Sequence, residues 1–303
     1  MTKAPLKYEY RLLVQSYINH PISGRDIKRL REQGRLPEAC CAWAALALRG
    51  RRDILTTRQA KLDLAEAKDT GYINVGLTLA PAGEAAWAFE GRFTACTDAT
   101  PGCMRSCVGN RGQGRSTNDG GWADHGYVAR CGRTIAWAFD PARFEQLLID
   151  EVRRKECDVA YVGATLAFRG DVASDYQTLS ALIARETTAT AYGYTKRSET
   201  LDWDDGVARI LSRSERNDAE VMEALAHGHS VAVVFDAKKG ELPSQWRGYP
   251  VIDGDVHDLW FLRINGPTVV GLSLKGRRLE KAIARSTGFA VQAISAGSKE
   301  VAA

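Results

Sequence analysis

Three cysteines, Cys96, Cys103 and Cys107, stand in the stretch "TACTDATPGCMRSC" at a C-x6-C-x3-C spacing. Pro101 and Gly102 interrupt them, so three thiols within twelve residues do not read as independent core positions. Seven cysteines is an odd number in a 303-residue chain that shows no apolar leader segment, which argues against a disulfide framework. Metal ligation is then the chemistry to expect. Zinc bound through cysteine takes four donors in a structural site, or three plus water in a catalytic one, and His125 or Cys131 offers a fourth. Three thiolates also suit an iron–sulfur cluster with one open iron. The spacing is not the C-x3-C-x2-C associated with radical S-adenosylmethionine enzymes, so zinc is placed ahead of iron–sulfur. The run "VGNRGQGRS" follows directly, and Arg111 and Arg115 on its glycine-rich backbone suit a phosphate.

A second set of candidates comes from the ends of apolar runs. These finish in Arg169-Gly170-Asp171, Tyr194-Thr195-Lys196, Ser212-Arg213-Ser214-Glu215, Phe235-Asp236, Asp253-Gly254-Asp255 and Lys275-Gly276. Carboxylates serve as nucleophile or general acid/base, so Asp171, Asp236, Asp253 and Asp255 are the catalytic candidates. Arg213, Lys196 and Lys275 suit an anionic substrate. Ser212, Tyr194 and His257 complete the substrate set, with Tyr194 placed to stack on a flipped base. Asp253 and Asp255 flank Gly254, with Asp236 on the preceding strand. Crowded carboxylates raise one pKa and leave another ionised. The plainer alternative for each aspartate is a turn or helix cap.

Positioning such ends in one place requires a parallel sheet. Near-continuous apolar runs at 159–168, 188–195, 207–214, 230–236, 249–253 and 268–274 alternate with helical patterns such as "YQTLSALIARE" and "ERNDAEVMEALAHG". "YINVGLTLAPA" adds an earlier strand, "RTIAWAF" fits either strand or helix, and Asp140-Pro141 opens a helix at "DPARFEQLLIDEVRRKE". The expected fold class is α/β, a (β/α)8-type barrel, possibly imperfect, with its chemistry on the carboxyl rim. No dinucleotide or P-loop glycine pattern follows a strand. Three short helices precede it: Ser23 caps the second, Gly34 ends it, and Pro37 opens the third beside Cys40 and Cys41, which read as core. The expected division is residues 1–60 as a basic helical extension and 61–295 as the barrel, with the Cys-rich loop (94–118) inserted. Residues 1–60 carry 12 Lys/Arg against 5 Asp/Glu, within a chain of net charge +4. That excess fits either a solvated helical face or a DNA contact, including a helix-turn-helix-like one. No apolar run reaches 18 residues, so neither a membrane span nor secretion is expected, and the compartment is the cytoplasm.

The motifs together resemble a known family. "LTLAPA", then "C…TPGC…C…GQGR", "YGYTK", "SRSERN", "VAVVFD", "W-x-G-x-PVIDGD-x-HDL-x-FL" and "VVGL-x-x-KG" resemble a family of uncharacterised phage and prophage proteins over roughly residues 60–290. That family is in turn distantly similar to the tRNA-guanine transglycosylase superfamily, whose phage branch inserts 7-deazaguanine bases into DNA. The resemblance implies a (β/α)8 barrel, an aspartate nucleophile, a second aspartate for acid/base work and a cysteine-rich zinc site. Its implied partners are DNA and a 7-deazaguanine base. Two departures stand against it: the cysteines come early here rather than late, and the superfamily's "NGTSD" stretch takes the form "RGDVASD". No catalytic residue is carried across. The alternatives are a DNA-binding or replication-associated protein without base chemistry, and another metal-dependent nucleic-acid enzyme.

Overall fold

The computed structural model describes residues 5–20, 22–57, 70–91, 93–107, 125–276 and 278–293. The Gly/Arg run with Arg111 and Arg115 lies outside them, as do residues 58–69.

Three helices open the chain: α1 (Tyr8–Asn19), α2 (Gly24–Glu32) and α3 (Leu36–Leu48). Ser23 and Asp26 form a reciprocal capping box at the start of α2, with the Ser23 amide donating to Asp26 Oδ2 at 2.9 Å. Gly34 ends α2 in the left-handed region at φ 71°, a conformation that favours glycine. Helix α3, rich in alanine, is buried from Ala39 to Leu48. It therefore has no free face of its own. Its small residues admit close neighbours.

Strand β1 (Tyr72–Gly76) follows, then the short helix α4 (Pro101–Arg105) and two long helices, α5 (His125–Phe139) and α6 (Pro141–Tyr161). The ambiguous "RTIAWAF" is thus helical, as the second half of α5. A Cβ on Gly132 of α5 would lie 2.6 Å from the Trp43 ring, so glycine is what lets α5 approach α3. Asp140 caps α6 by accepting from the Arg143 amide at 3.0 Å. Helices α1–α3, α5 and α6 share one hydrophobic cluster with Leu166 and Phe168 on one face of the sheet.

The remaining elements are β2 (Thr165–Arg169), α7 (Thr178–Glu186), β3 (Thr190–Thr195), β4 (Ala208–Ser212), α8 (Asp218–Ala226), β5 (Val231–Asp236), β6 (Gln245–Trp246), β7 (Tyr249–Asp253), β8 (Val269–Ser273), α9 (Arg278–Ser286) and β9 (Val291–Gln292). The strand expected at 159–168 starts later, because α6 runs on to Tyr161 and Gly163 turns the chain at φ 71°.

The described strands form one sheet in the order β1-β2-β3-β4-β5-β8-β7-β6, with β9 beside β5. Every pairing is parallel except the β6–β7 hairpin. The class is mixed α/β, as expected, but the sheet is not closed: β1 pairs only with β2 in the ladder, and β7 ends the parallel part. The expected eight-stranded barrel is corrected to an open sheet. The face opposite the helical cluster is packed as well. Ala167, Tyr192, Ile210, Ala232 and Val270 point there and are covered by Leu259 and Trp260 from the segment after β7. Phe261 of that segment meets both Tyr72 of β1 (5.8 Å between ring centroids) and Tyr192 of β3 (5.3 Å). Leu259, Trp260 and Phe261 thus cover that face of the sheet. No helix among the described residues is long and apolar enough to cross a membrane.

Candidate functional site at the carboxyl edge

The carboxyl ends of the parallel strands gather two groups of side chains. The first is the cysteine corner. The loop after β1 brings Cys96 beside Asp175, which follows β2, in an isolated parallel bridge. The Asp175 amide donates to the Ala95 carbonyl at 2.9 Å. Thr100 caps α4, and Glu215, which follows β4, pins it: Oε2 accepts from the Thr100 hydroxyl at 2.8 Å and Oε1 from the Gly102 amide at 2.6 Å. A Cβ at residue 102 would lie 2.7 Å from Thr287 and 2.8 Å from Glu215, so glycine is required there.

Lys196, just past β3, reaches into this corner. Its amide donates to Asp175 Oδ2 at 3.1 Å, while Gln177 steadies the other oxygen at 2.9 Å. Burial opposes the charge of Lys196, but Cys103, Asp175 and Cys96 outweigh it and hold its pKa above the ordinary lysine value. Burial pushes the Cys96 thiol up to about 12, with Cys107 and Cys103 adding to the rise and Lys196 opposing it. Cys96, Cys103, Cys107 and Lys196 are therefore one electrostatic unit, and all three cysteines are half-buried and outside any disulfide. Among the described residues, no group of three or more His, Cys, Asp or Glu side chains is arranged to hold a single metal ion. Neither proposed fourth ligand joins the corner. Cys131 is buried with Cys40 in the helical core, and His125 bonds to Arg31.

The second group lies on the face opposite the helical cluster. Arg169 Nη1 lies 2.7 and 2.9 Å from the two oxygens of Asp258, and its guanidinium sits 4.4 Å from the centre of the Tyr194 ring. Asp258 also accepts from the Tyr192 hydroxyl at 3.0 Å, and that oxygen accepts from Asn74 at 2.7 Å. Asp171 accepts from the Tyr194 amide at 2.7 Å and stands 3.5 Å from Arg169. Burial raises the Asp171 carboxyl to about 6; Arg169 and the Tyr194 amide pull it down, and Asp175 and Asp258 push it up.

The other sequence candidates are spread around the edge. Asp253 accepts from the Asp255 amide at 2.8 Å, and Asp255 holds the Ser273 amide at 2.9 Å and Lys275 at 2.6 Å. Asp236 pairs with Arg285 at 2.7 Å. The Arg285 hydrogen bond holds the Asp236 carboxyl below its usual range; Asp255 is also lowered, its burial outweighed by Lys275 and Ser273. The raised carboxyl expected among these three is found at Asp171 instead. Arg213 binds Asp218 at 2.7 Å and the Phe289 carbonyl at 3.1 Å, and the Ser212 carbonyl accepts from Asn217. His257 is kept below its usual pKa by burial and by Arg263, so it is neutral at pH 7, and its Nδ1 is buried without a hydrogen-bond partner. Asp258, Tyr192 and Asn74 were not among the sequence candidates, and Arg169 was noted only as part of a strand end, with no role.

No curated protein and no solved structure matches the chain. A family model does, over residues 51–293, the span that holds the cysteine corner, the Arg169 network and every described strand. The chain belongs to the Gene product 88 family of phage proteins.

Proposed function

We propose that this protein is a metal-dependent enzyme acting on nucleic acid, with its metal centre held by Cys96, Cys103 and Cys107 at the carboxyl edge of the sheet. The observation that carries the reading is that Cys103 and Cys96 bear on Lys196 and Cys107 bears on Cys96, between segments pinned by Asp175 and Glu215. An iron–sulfur cluster fits this donor set better than zinc. A single tetrahedral zinc at about 2.3 Å from each sulfur needs the thiolates packed around one point. A cluster spreads them, because each thiolate binds a different iron. With Cys131 in the helical core and His125 on Arg31, the three cysteines leave a fourth position open, which suits a cluster with one open iron. Three thiolates concentrate negative charge, and the Lys196 ammonium offsets it. Nucleic acid is the favoured substrate because of the basic balance of residues 1–60. Such a centre would supply an open iron for substrate binding or electron transfer.

The test is metal and acid-labile sulfide content after anaerobic purification. Iron and sulfide should be near stoichiometric in the native chain. They should fall to background in the Cys96→Ala/Cys103→Ala/Cys107→Ala variant and persist in Cys157→Ala, whose thiol is exposed. Stoichiometric zinc without sulfide would select the zinc site. Metal content untouched by the triple substitution sinks the reading.

The Asp171 carboxyl supports a second reading, exchange of guanine for a 7-deazaguanine derivative in phage DNA with zinc at the thiols. A carboxyl near pKa 6 is suited to proton transfer at neutral pH. Cells expressing the protein and supplied with a 7-deazaguanine precursor should then carry the modified nucleoside in DNA, detected by mass spectrometry. It should disappear in Asp171→Asn, with folding intact. DNA left unmodified by the wild-type chain ends this reading.

A further inference from the structure

A cavity of about 600 Å³ opens on the helical side, lined by Trp43, Gly50, Arg51, Arg52, Asp53, Ala129 and Arg133. Three guanidinium groups face one carboxylate there. Arg133 is only 8% exposed and is fixed from behind: its Nε donates to the Ile54 carbonyl and Nη2 to the Leu55 carbonyl at 3.4 Å. Nη1 has no partner among the described residues, and the guanidinium lies 5.1 Å from the centre of the Trp43 ring. Arg52 sits over the same ring from its own side at 5.7 Å. Arg51 and Arg52 make no ion pair with a described residue, whereas neighbouring Arg130 is already matched to Glu84 at 2.7 Å.

We infer that this cavity is a binding site for a phosphate group, with Arg133 as the fixed fork and Arg51 and Arg52 closing on the anion. A planar guanidinium whose other nitrogens are tied to carbonyls presents its free edge without further loss of rotamer freedom, which suits a tetrahedral oxyanion. The surroundings favour the same ligand. Burial lowers Arg133 to about 10, with Arg130 and Arg52 adding to the fall and Glu151 opposing it. Burial also lowers Arg52, with Arg31 adding to the effect and Asp53 opposing it. An anion placed among cations that repel one another relieves that repulsion. The volume admits a nucleotide. The same chemistry belongs to a phosphate in a nucleic-acid backbone, and this part of the basic segment would then anchor the strand. The site is independent of the thiol centre.

Two probes separate the sources: inorganic pyrophosphate, read by the rise in Tm, and a labelled single-stranded oligonucleotide, read by anisotropy over a salt series. With the full-length chain, Arg51→Ala/Arg52→Ala should weaken at least one probe roughly tenfold or more without changing the ligand-free Tm. Lost strand contacts should also lower the salt slope by about 0.7 per phosphate. Arg133→Lys keeps the charge but loses the fork, and should weaken the same probe. Lys238→Ala/Lys239→Ala, removing two exposed lysines elsewhere, should leave it unchanged. Loss of pyrophosphate binding alone assigns a nucleotide-type ligand, and loss of both assigns a strand contact. The inference is overturned if neither probe binds the wild-type chain at low salt. It is equally overturned if the arginine pair changes nothing, or if the lysine pair weakens binding as much.

Discussion

Asp258→Ala should be the most damaging single substitution in the sheet, costing about 3–5 kcal/mol of folding stability. The Asp258 side chain is fully buried and is the close counter-charge of Arg169, itself only 8% exposed. Removing it leaves that guanidinium in the interior with Asp171 at 3.5 Å as its nearest carboxylate. A buried charge that exchanges contacts at 2.7 and 2.9 Å for one at 3.5 Å recovers only part of the hydration it lost. The Tyr192 hydroxyl loses its acceptor at the same time and keeps only the donation from Asn74. The damage reaches the fold as well, since Asp258 ties residues 254–264 to β2 and β3. Asp258→Asn retains an acceptor for the hydroxyl and should cost less. Urea unfolding reads both variants. A loss below about 1 kcal/mol for Asp258→Ala would show that apolar packing of Leu259 and Trp260 holds the segment without the ion pair.

The Arg169 network explains what the sequence could and could not disclose. Strand identities were legible because apolar runs bounded by glycine and polar residues state their own secondary structure. "VAVVFD" and "TVVGLSL" became β5 and β8 within a residue at each end. The caps at Ser23 and Asp140 were equally local: Asp26 accepts from the Ser23 amide three residues back, and Asp140 from the Arg143 amide three residues on. Closure was not local. Whether parallel strands close into a barrel is set by contacts between elements far apart in the chain, and the cover over one face of this sheet lies in "VHDLWFL", which has no regular period. Asp258 stood in plain view beside His257, yet its partner is 89 residues away. The signal that was available is alternation. Tyr72 and Asn74, Ala167 and Arg169, and Tyr192 and Tyr194 occupy every second position of three adjacent strands, so one face carries aromatic and polar groups together. The aspartates at the ends of β5 and β7 misled for the opposite reason. Their types suit catalysis, but each is engaged with a nearby arginine, lysine or amide, as turn and cap residues are.

Asp171 gives the network a pH signature. Its carboxyl is raised from the ordinary 3.8 to about 6, chiefly by burial. The folded chain therefore holds this proton more tightly than the unfolded chain does. Between about pH 4 and pH 6 the native state binds more protons, so this residue's contribution to stability falls as pH rises through that window. Above about pH 6 the penalty is constant, at most about 3 kcal/mol for a shift of roughly two units. Asp236 and Asp255, held below their usual range, act the other way and in a different window, losing their contribution as pH falls below about 4. Asp171→Asn removes the titrating group while an amide oxygen can still accept from the Tyr194 amide. Relative to wild type, the variant should gain stability steadily from pH 4 to pH 6 and hold a fixed offset from pH 6 to pH 8. Urea unfolding at one-unit pH intervals measures the difference directly, because titrations common to both chains cancel. Parallel curves across pH 4–6 would place the Asp171 pKa near that of an exposed carboxylate, and with it would go the argument for proton transfer at this position.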